Sequence, residues 1–251
     1  AYVGPLISGF VGADAVSAAL FAGLDQGNTT RLLLDVGTNG EMLLAHQGNI
    51  GACAAAAGPA FEGAHITCGM GGAPGAIRRA KRLPDGNWQI ATVGDGAPRG
   101  LCGSGLIDAI AELVSAEIID ETGRLEADAH LAPGVYLTQQ DIREVQLAKG
   151  AIAAGIELLM REIYGIDECY LAGGFGSAID PQSALAIGLL PELLRGKIVP
   201  IGNAAGMGAV EMLLSQGARE RAQALAARAH YIELSELEDF QDAFVEHMLF
   251  E

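Results

Sequence analysis

Residues 32–44, LLLDVGTNGEMLL, constrain this chain more than any other stretch. Two apolar runs close around a short polar segment. An Asn-Gly pair between such runs predicts a β-hairpin, because both residues tolerate positive φ. That accounts for Asn39 and Gly40. It leaves Asp35 at the end of a buried strand, where an unpaired carboxylate is costly. Gly37, Thr38 and Glu41 crowd further polar groups and bare backbone N–H around the same tip. A segment that only had to turn would not need an acid there.

The surrounding composition narrows what such a tip could serve. The chain has 251 residues, half of them hydrophobic, enough for a sizeable core in one large domain or two small ones. It carries 31 acidic and 15 basic side chains, for a formal charge of −16. Nucleic acid and anionic membrane surfaces both call for a basic footprint, so neither is an expected partner. ATP stays compatible, since backbone N–H groups and a metal ion can hold phosphates. No run of about 18 apolar residues and no signal peptide is visible. The opening AYVGPLISGFVGADAV reads as the middle of something, so a piece of a longer protein is expected. Cys53, Cys68, Cys102 and Cys169 are scattered, which points to buried thiols in a reducing cytoplasm rather than to zinc or disulfides.

Along the chain, helical spacing predicts helices over 14–24, 103–114, 204–214 and 218–229. Strands are expected over 48–57 and 197–201, and in HYIELS near the end. A second hairpin is expected around Asp85-Gly86. Residues 58–75, GPAFEGAHITCGMGGAPG, are too rich in glycine for a long regular element. The longest helix opens at Thr138, which forms a capping-box pattern with Asp141. Its stripe runs through Ile142, Val145, Ala148, Ile152, Ile156, Leu159 and Ile163, with Gly165 as its end. Pro181 opens a further helix, and a last one closes the chain. Strands alternating with helices after about residue 100 indicate an α/β protein.

Three glycine-rich segments follow predicted strands: Asp35–Glu41, Leu171–Gly176 and Gly202–Ala209. Each alone is also what plain close packing needs. In this order they say more. An acid on a hairpin can cradle phosphates and hold Mg²⁺ through water, and a Gly-Gly turn lets a nucleoside lie against the backbone. A helix of small residues permits the close approach of a second lobe.

That order resembles the actin-like (ASKHA) ATPase superfamily. The stretches GPAFEGAHITCGM, LCGSGLIDAIAEL, DIREVQLAKGAI and LAGGFGSAID, with FVGADA at the start, are similar to the C-terminal domain of the reductive activators of corrinoid proteins. The resemblance covers nearly the whole chain. It implies an actin-like, ribonuclease H-like α/β fold: a mixed sheet flanked by helices, comprising the second lobe plus remnants of the first. It implies catalytic roles for Asp35 and Glu41, with Asp35 holding Mg²⁺ through water. It implies nucleotide contacts from Asp35, Gly37, Thr38, Asn39 and Gly40, and from Gly173, Gly174 and Gly176. Residues 1–251 would form one C-terminal domain, the first phosphate motif, a linker and a 2Fe–2S domain lying upstream. The function so implied is ATP-driven return of a cobalt(II) corrinoid to cobalt(I) for methyl transfer. The partner would be a corrinoid iron–sulfur or methyl-carrier protein, and the assembly a cytoplasmic homodimer.

Other readings have less support. GLCGSG around Ser104 lacks the glycine that a nucleophile elbow needs at position 102. No G-x-G-x-x-G supplies a dinucleotide site. His65, His130, His230 and His247 are isolated and read as structural or solvated. Cys68 and Met70 read as packing residues, with contact to a cobalt centre or partner as the functional option. A small-molecule kinase of the same superfamily, and a docking module that no longer binds nucleotide, stand as alternatives.

Overall fold

The computed structural model describes residues 2–161, 163 and 165–250. In chain order the elements are α1 (Ala13–Phe21), β1 (Arg31–Val36), β2 (Gly40–His46), β3 (Asn49–Ala55), β4 (Ala76–Arg82), β5 (Trp88–Thr92), β6 (Gly100–Leu101) and α2 (Gly103–Ser115). There follow β7 (Ala129–Ala132), β8 (Val135–Leu137), α3 (Gln139–Leu159), β9 (Glu168–Ala172), α4 (Gly173–Ala178) and α5 (Pro181–Ala186). The chain ends with β10 (Ile198–Gly202), α6 (Ala204–Leu214), α7 (Gln216–Arg228), β11 (Ala229–Tyr231) and α8 (Phe240–Glu246). They group into two compact units.

The first unit takes residues up to Ala55, Ala154–Ser177 and Leu193–Gln241. Its described residues form a six-stranded sheet in the order β10-β9-β1-β2-β3-β11. β10, β9 and β1 run parallel, and β1, β2 and β3 antiparallel, so the sheet is mixed. Successive side chains of a strand take opposite faces. Leu33, Leu43 and Ala52 therefore pack with Val16, Leu20, Met212 and Leu225 of α1, α6 and α7. Met42, Gly51 and Cys53 meet the last turns of α3 on the other face. A Cβ on Gly155 would lie 2.6 Å from Met42 Cε, and one on Gly51 would lie 3.0 Å from Leu159 Cδ1. α1 and α6 cross at backbone distance, since a Cβ on Gly208 would stand 1.9 Å from the Ser17 carbonyl oxygen.

The second unit takes Ala56–Ala153, Ala178–Glu192 and the residues from Asp242 onward. Its described residues hold a three-stranded sheet, β5-β4-β6, and the β7-β8 pair. α2 packs on β4 so closely that a Cβ on Gly105 would come within 2.1 Å of the Ile77 carbonyl oxygen. The capping box at α3 is present. Asp141 accepts from the Thr138 N–H at 2.8 Å, and its own N–H donates to Thr138 Oγ1 at 3.3 Å. The same carboxylate, fully buried, also accepts from the N–H and hydroxyl of Thr67 at 2.7 and 3.0 Å. One acid thus both caps a helix and pins the glycine-rich loop. Lys149, 1% exposed, donates to the carbonyls of His247 and Leu249 at 2.6 and 2.5 Å and lies over the Phe250 ring.

Two expectations from sequence need correction, and one hairpin has no signal in the sequence. α3 stops at Leu159 rather than at Gly165. The Met160 N–H is shared between the Ile156 and Glu157 carbonyls, and Ile163 N–H bonds Met160, so the ladder tightens into a turn. Ile163 lies past the helix, and Glu162 and Tyr164 lie outside the described residues. Of HYIELS, only His230 and Tyr231 pair with β3, while Leu234–Glu236 form a 3₁₀ turn. The β7-β8 hairpin had no sequence signal, its strands being too short for alternation to register.

Candidate functional site

The parallel run of β10, β9 and β1 sends three strands to one edge of the first unit's sheet. In open α/β sheets, ligands bind in the crevice outside such carboxyl ends. Here all three strands end in the glycine-rich segments picked out above. β1 ends in the hairpin tip, β9 runs directly into α4, and β10 runs through Asn203 into α6.

At the tip, Asp35 pairs with Glu41 across the antiparallel ladder and with Ala172 across the parallel one. Val36 pairs with Gly40, so Gly40 opens β2 and the tip is Gly37-Thr38-Asn39, closed by Gly37 N–H donating to the Asn39 carbonyl at 3.0 Å. Neither Asn39 nor Gly40 has positive φ, which corrects the expected Asn-Gly turn. Thr38 and Asn39 are exposed, whereas Val36 and Gly40 beneath them are buried.

Gly173 shows why glycine stands there. Its φ is +81°, and a Cβ would lie 2.6 Å from Asp35 Oδ1. Any side chain would be strained and would strike the carboxylate. The strand end thus lets Asp35 rest against bare backbone. Gly173 also begins α4, so the predicted Gly-Gly turn is the first turn of a short helix. Gly174 is exposed, while Gly176 is buried with its Cα face on Leu171. In the third segment Asn203 caps α6, its Oδ1 accepting from Gly206 N–H at 2.9 Å.

Electrostatics single out the tip. Burial pushes the Asp35 carboxyl up from its ordinary range, and the charge of Asp14 adds to it. Burial likewise pushes Glu41 up, to about 7; its own N–H opposes the shift, and the charges of Asp14 and Asp35 reinforce it. No ion pair to any of the three carboxylates is found among the described residues. Asp14, in the first turn of α1, is the member that sequence reasoning did not single out. An acid in a first helical turn is ordinary, and only the fold reveals its neighbours.

Asp35 and Glu41, both raised by burial and by neighbouring carboxylate charge, with no ion pair among the described residues, are the setting that a bound dication relieves. Among the described residues no three such groups stand close enough to ligate one ion directly. Mg²⁺ itself keeps several waters and is shared with substrate phosphates. The exposed tip, the carboxylates and the side-chain-free surface at Gly173 therefore fit a Mg²⁺–phosphate group.

Residues 29–251 match the family model described as the C-terminal domain of RACo, the ASKHA domain. The chain belongs to this family. Among solved structures it is similar to a reductive activator for corrinoid, iron–sulfur protein, with a TM-score of 0.91 and 34% identity. That match covers 99% of this chain and 44% of the other. It is 35% identical to the corrinoid activation enzyme RamQ of Eubacterium limosum, over 98% of this chain and 46% of the relative. It is 30% identical to a [Co(II) methylated amine-specific corrinoid protein] reductase of Methanosarcina barkeri, over 85% of this chain and 44% of the relative. The chain thus spans about half the length of the curated relatives it matches. The ASKHA fold and the mixed sheet flanked by helices agree with the resemblance read from the sequence. Among the described residues no helix is long and apolar enough to cross a membrane.

Proposed function

We propose that this chain is the nucleotide-binding ASKHA domain of an ATP-dependent reductive activator, which returns cobalt(II) corrinoid proteins to cobalt(I). The observation that carries the reading is Asp35 set against the bare backbone of Gly173, where the parallel strands end. Family membership and relatives named for corrinoid activation support the substrate class.

In this reading the tip Gly37-Thr38-Asn39 and the adjoining Gly40 face the phosphates, the Gly37 N–H holding the tip closed on the Asn39 carbonyl, and Asp35 would orient Mg²⁺ through water. Glu41 is the second acid, whose raised carboxyl would take up a proton from solvent near pH 7 when no cation is held beside it. Gly173, Gly174 and Gly176 give the adenosine a surface without side chains. Nucleotide turnover would supply the driving force, and the electron would come from a 2Fe–2S group outside this chain. The partner is a corrinoid iron–sulfur or methyl-carrier protein, and the site of action is the cytoplasm.

A homodimer forms part of the proposal. α6 presents Met207, Val210, Leu213 and Leu214, which are 50%, 46%, 69% and 80% exposed, and such an apolar stripe marks an interface. Two chains of charge −16 would meet best on a largely apolar face, and Glu211 is the one charged residue of α6.

The test is ATP-dependent cobalt(II) reduction by the complete activator, followed by the corrinoid's visible spectrum. Asp35→Asn is expected to abolish the ATP dependence while leaving corrinoid-protein binding intact. Undiminished ATP-dependent reduction in that variant would overturn the reading.

A further inference from the structure

The β4-β5 hairpin of the second unit has one edge closed and one open. The Leu83 N–H donates to the Asn87 carbonyl at 2.8 Å, and the antiparallel register then pairs Lys81 with Gln89 and Ala80 with Ile90. Bonded and non-bonded pairs alternate along such a ladder, so Ala80, Arg82, Trp88 and Ile90 turn their main-chain groups outward. α2 closes the β4 side. Asp108 accepts from the Ala80 N–H at 3.4 Å, Glu112 accepts from the Arg82 N–H at 3.2 Å, and the Ser104 hydroxyl donates to the Arg78 carbonyl at 3.0 Å. On the outer side of β5 no hydrogen bond to the main chain of Trp88 or Ile90 is present among the described residues.

Open edges are usually guarded by charge, proline, a bulge or shortness. In the first unit's sheet one edge strand, β10, carries Pro200, and the other, β11, has three residues. β5, WQIAT, has neither a charge nor a proline, and the bulge of the hairpin falls on β4 at Arg78.

The hairpin also differs in charge from the rest of the chain. Residues 76–101 hold five cations and two acids, a net of +3, so the remaining residues carry −19. Arg78 reaches β5, its Nε donating to the Thr92 carbonyl at 3.4 Å, and Lys81 stands opposite Gln89. Neither has an ion pair among the described residues. Trp88 and Ile90 take the other face. The cavity beside Trp88, about 490 Å³, is lined there by Leu113 and Ile118 but also by Glu117, Glu126 and Asp128. Arg82 lines it too and acts on Asp85. Three acids against one arginine make that face suited to an apolar side chain and unsuited to a carboxylate.

We infer that β5 receives an extended segment of a partner protein as an added strand, with acidic side chains on the face of Lys81 and apolar ones on the face of Trp88. Main-chain pairing holds the segment, and the alternation of its side chains selects it. A second copy of this chain fits poorly, since two such edges would bring +3 against +3. A nucleic acid would gain nothing from the open edge and would face the −19 of the remaining residues.

The experiment titrates the protein with a short capped peptide that alternates glutamate and valine, read by the fluorescence of Trp88, the chain's only tryptophan. The same peptide with lysine in place of glutamate is the charge control. Saturable binding is expected for the glutamate peptide alone, with amide exchange slowed at Trp88 and Ile90. N-methylation of the valine amides removes the donors from one edge of the peptide, and N-methylation of the glutamate amides removes them from the other. One methylated peptide should lose binding and the other should keep it. In Arg78→Glu/Lys81→Glu the affinity should fall at least about tenfold. No saturable binding, equal binding of the lysine peptide, loss with both or neither methylated peptide, or unchanged affinity in the charge variant would each overturn the assignment. Slower exchange at Trp88 and Ile90 on raising the protein concentration without peptide would give the edge to a second copy and overturn it too. None of these outcomes depends on nucleotide binding in the first unit.

Discussion

Glu41→Gln should make the protein more stable at alkaline pH. The Glu41 carboxyl is raised from 4.5 to about 7, chiefly by burial. A carboxyl whose folded pKa lies above its unfolded one stabilises the fold below the unfolded value. That contribution is lost as pH rises through the folded value. The window here runs from about 4.5 to about 7. At 1.36 kcal/mol per unit the whole shift sets a ceiling of about 3.4 kcal/mol. Glu41 is only half-buried, so solvent screening reduces this to about 1–2 kcal/mol. Glutamine keeps the shape and cannot ionise. For a chain of this size that gain raises Tm by roughly 2–8 °C. Thermal denaturation without magnesium should show it at about pH 8 and show little difference at about pH 5. A variant less stable than the parent at the higher pH, or a difference independent of pH, would refute the electrostatic account of the tip.

Gly173→Ala should destabilise the fold by roughly 2–4 kcal/mol in chemical denaturation, because a left-handed alanine would also strike Asp35. Gly208→Ala should cost roughly 1–3 kcal/mol by driving α6 off the Ser17 carbonyl, a loss that calorimetric Tm would register. Asp141→Ala removes a buried acceptor of four hydrogen bonds and should cost about 3–5 kcal/mol, with faster hydrogen exchange at Thr67 and Thr138. Lys149→Met should leave the carbonyls of His247 and Leu249 short of a donor, cost about 1–3 kcal/mol, and speed proteolysis of the last residues.

What the sequence disclosed was mostly what neighbours in the chain decide. The β1-β2 hairpin is written in two apolar runs a few residues apart, and the Thr138–Asp141 box in a spacing of three. Asp141 holding Thr67 joins residues far apart in sequence, and no local pattern carries that. Asp14 reaches Asp35 only because α1 packs on the same sheet face. The apolar stripe of α3 runs on without a break, although its residues before and after Ala154 belong to different units. Gly173 was marked as a nucleotide contact by its neighbours in the motif. The reason it must be glycine, the Asp35 carboxylate against its Cα, is a tertiary fact.

The central claim is that the tip and the start of α4 hold a magnesium nucleotide. Amide hydrogen exchange, compared with and without saturating Mg-ATP, tests it at the backbone groups themselves. Slower exchange is expected at Gly37–Glu41 and Gly173–Gly176, dependent on magnesium and absent in Asp35→Asn. The cavity around Trp88 should not respond. Protection elsewhere with none at these two segments would contradict the account.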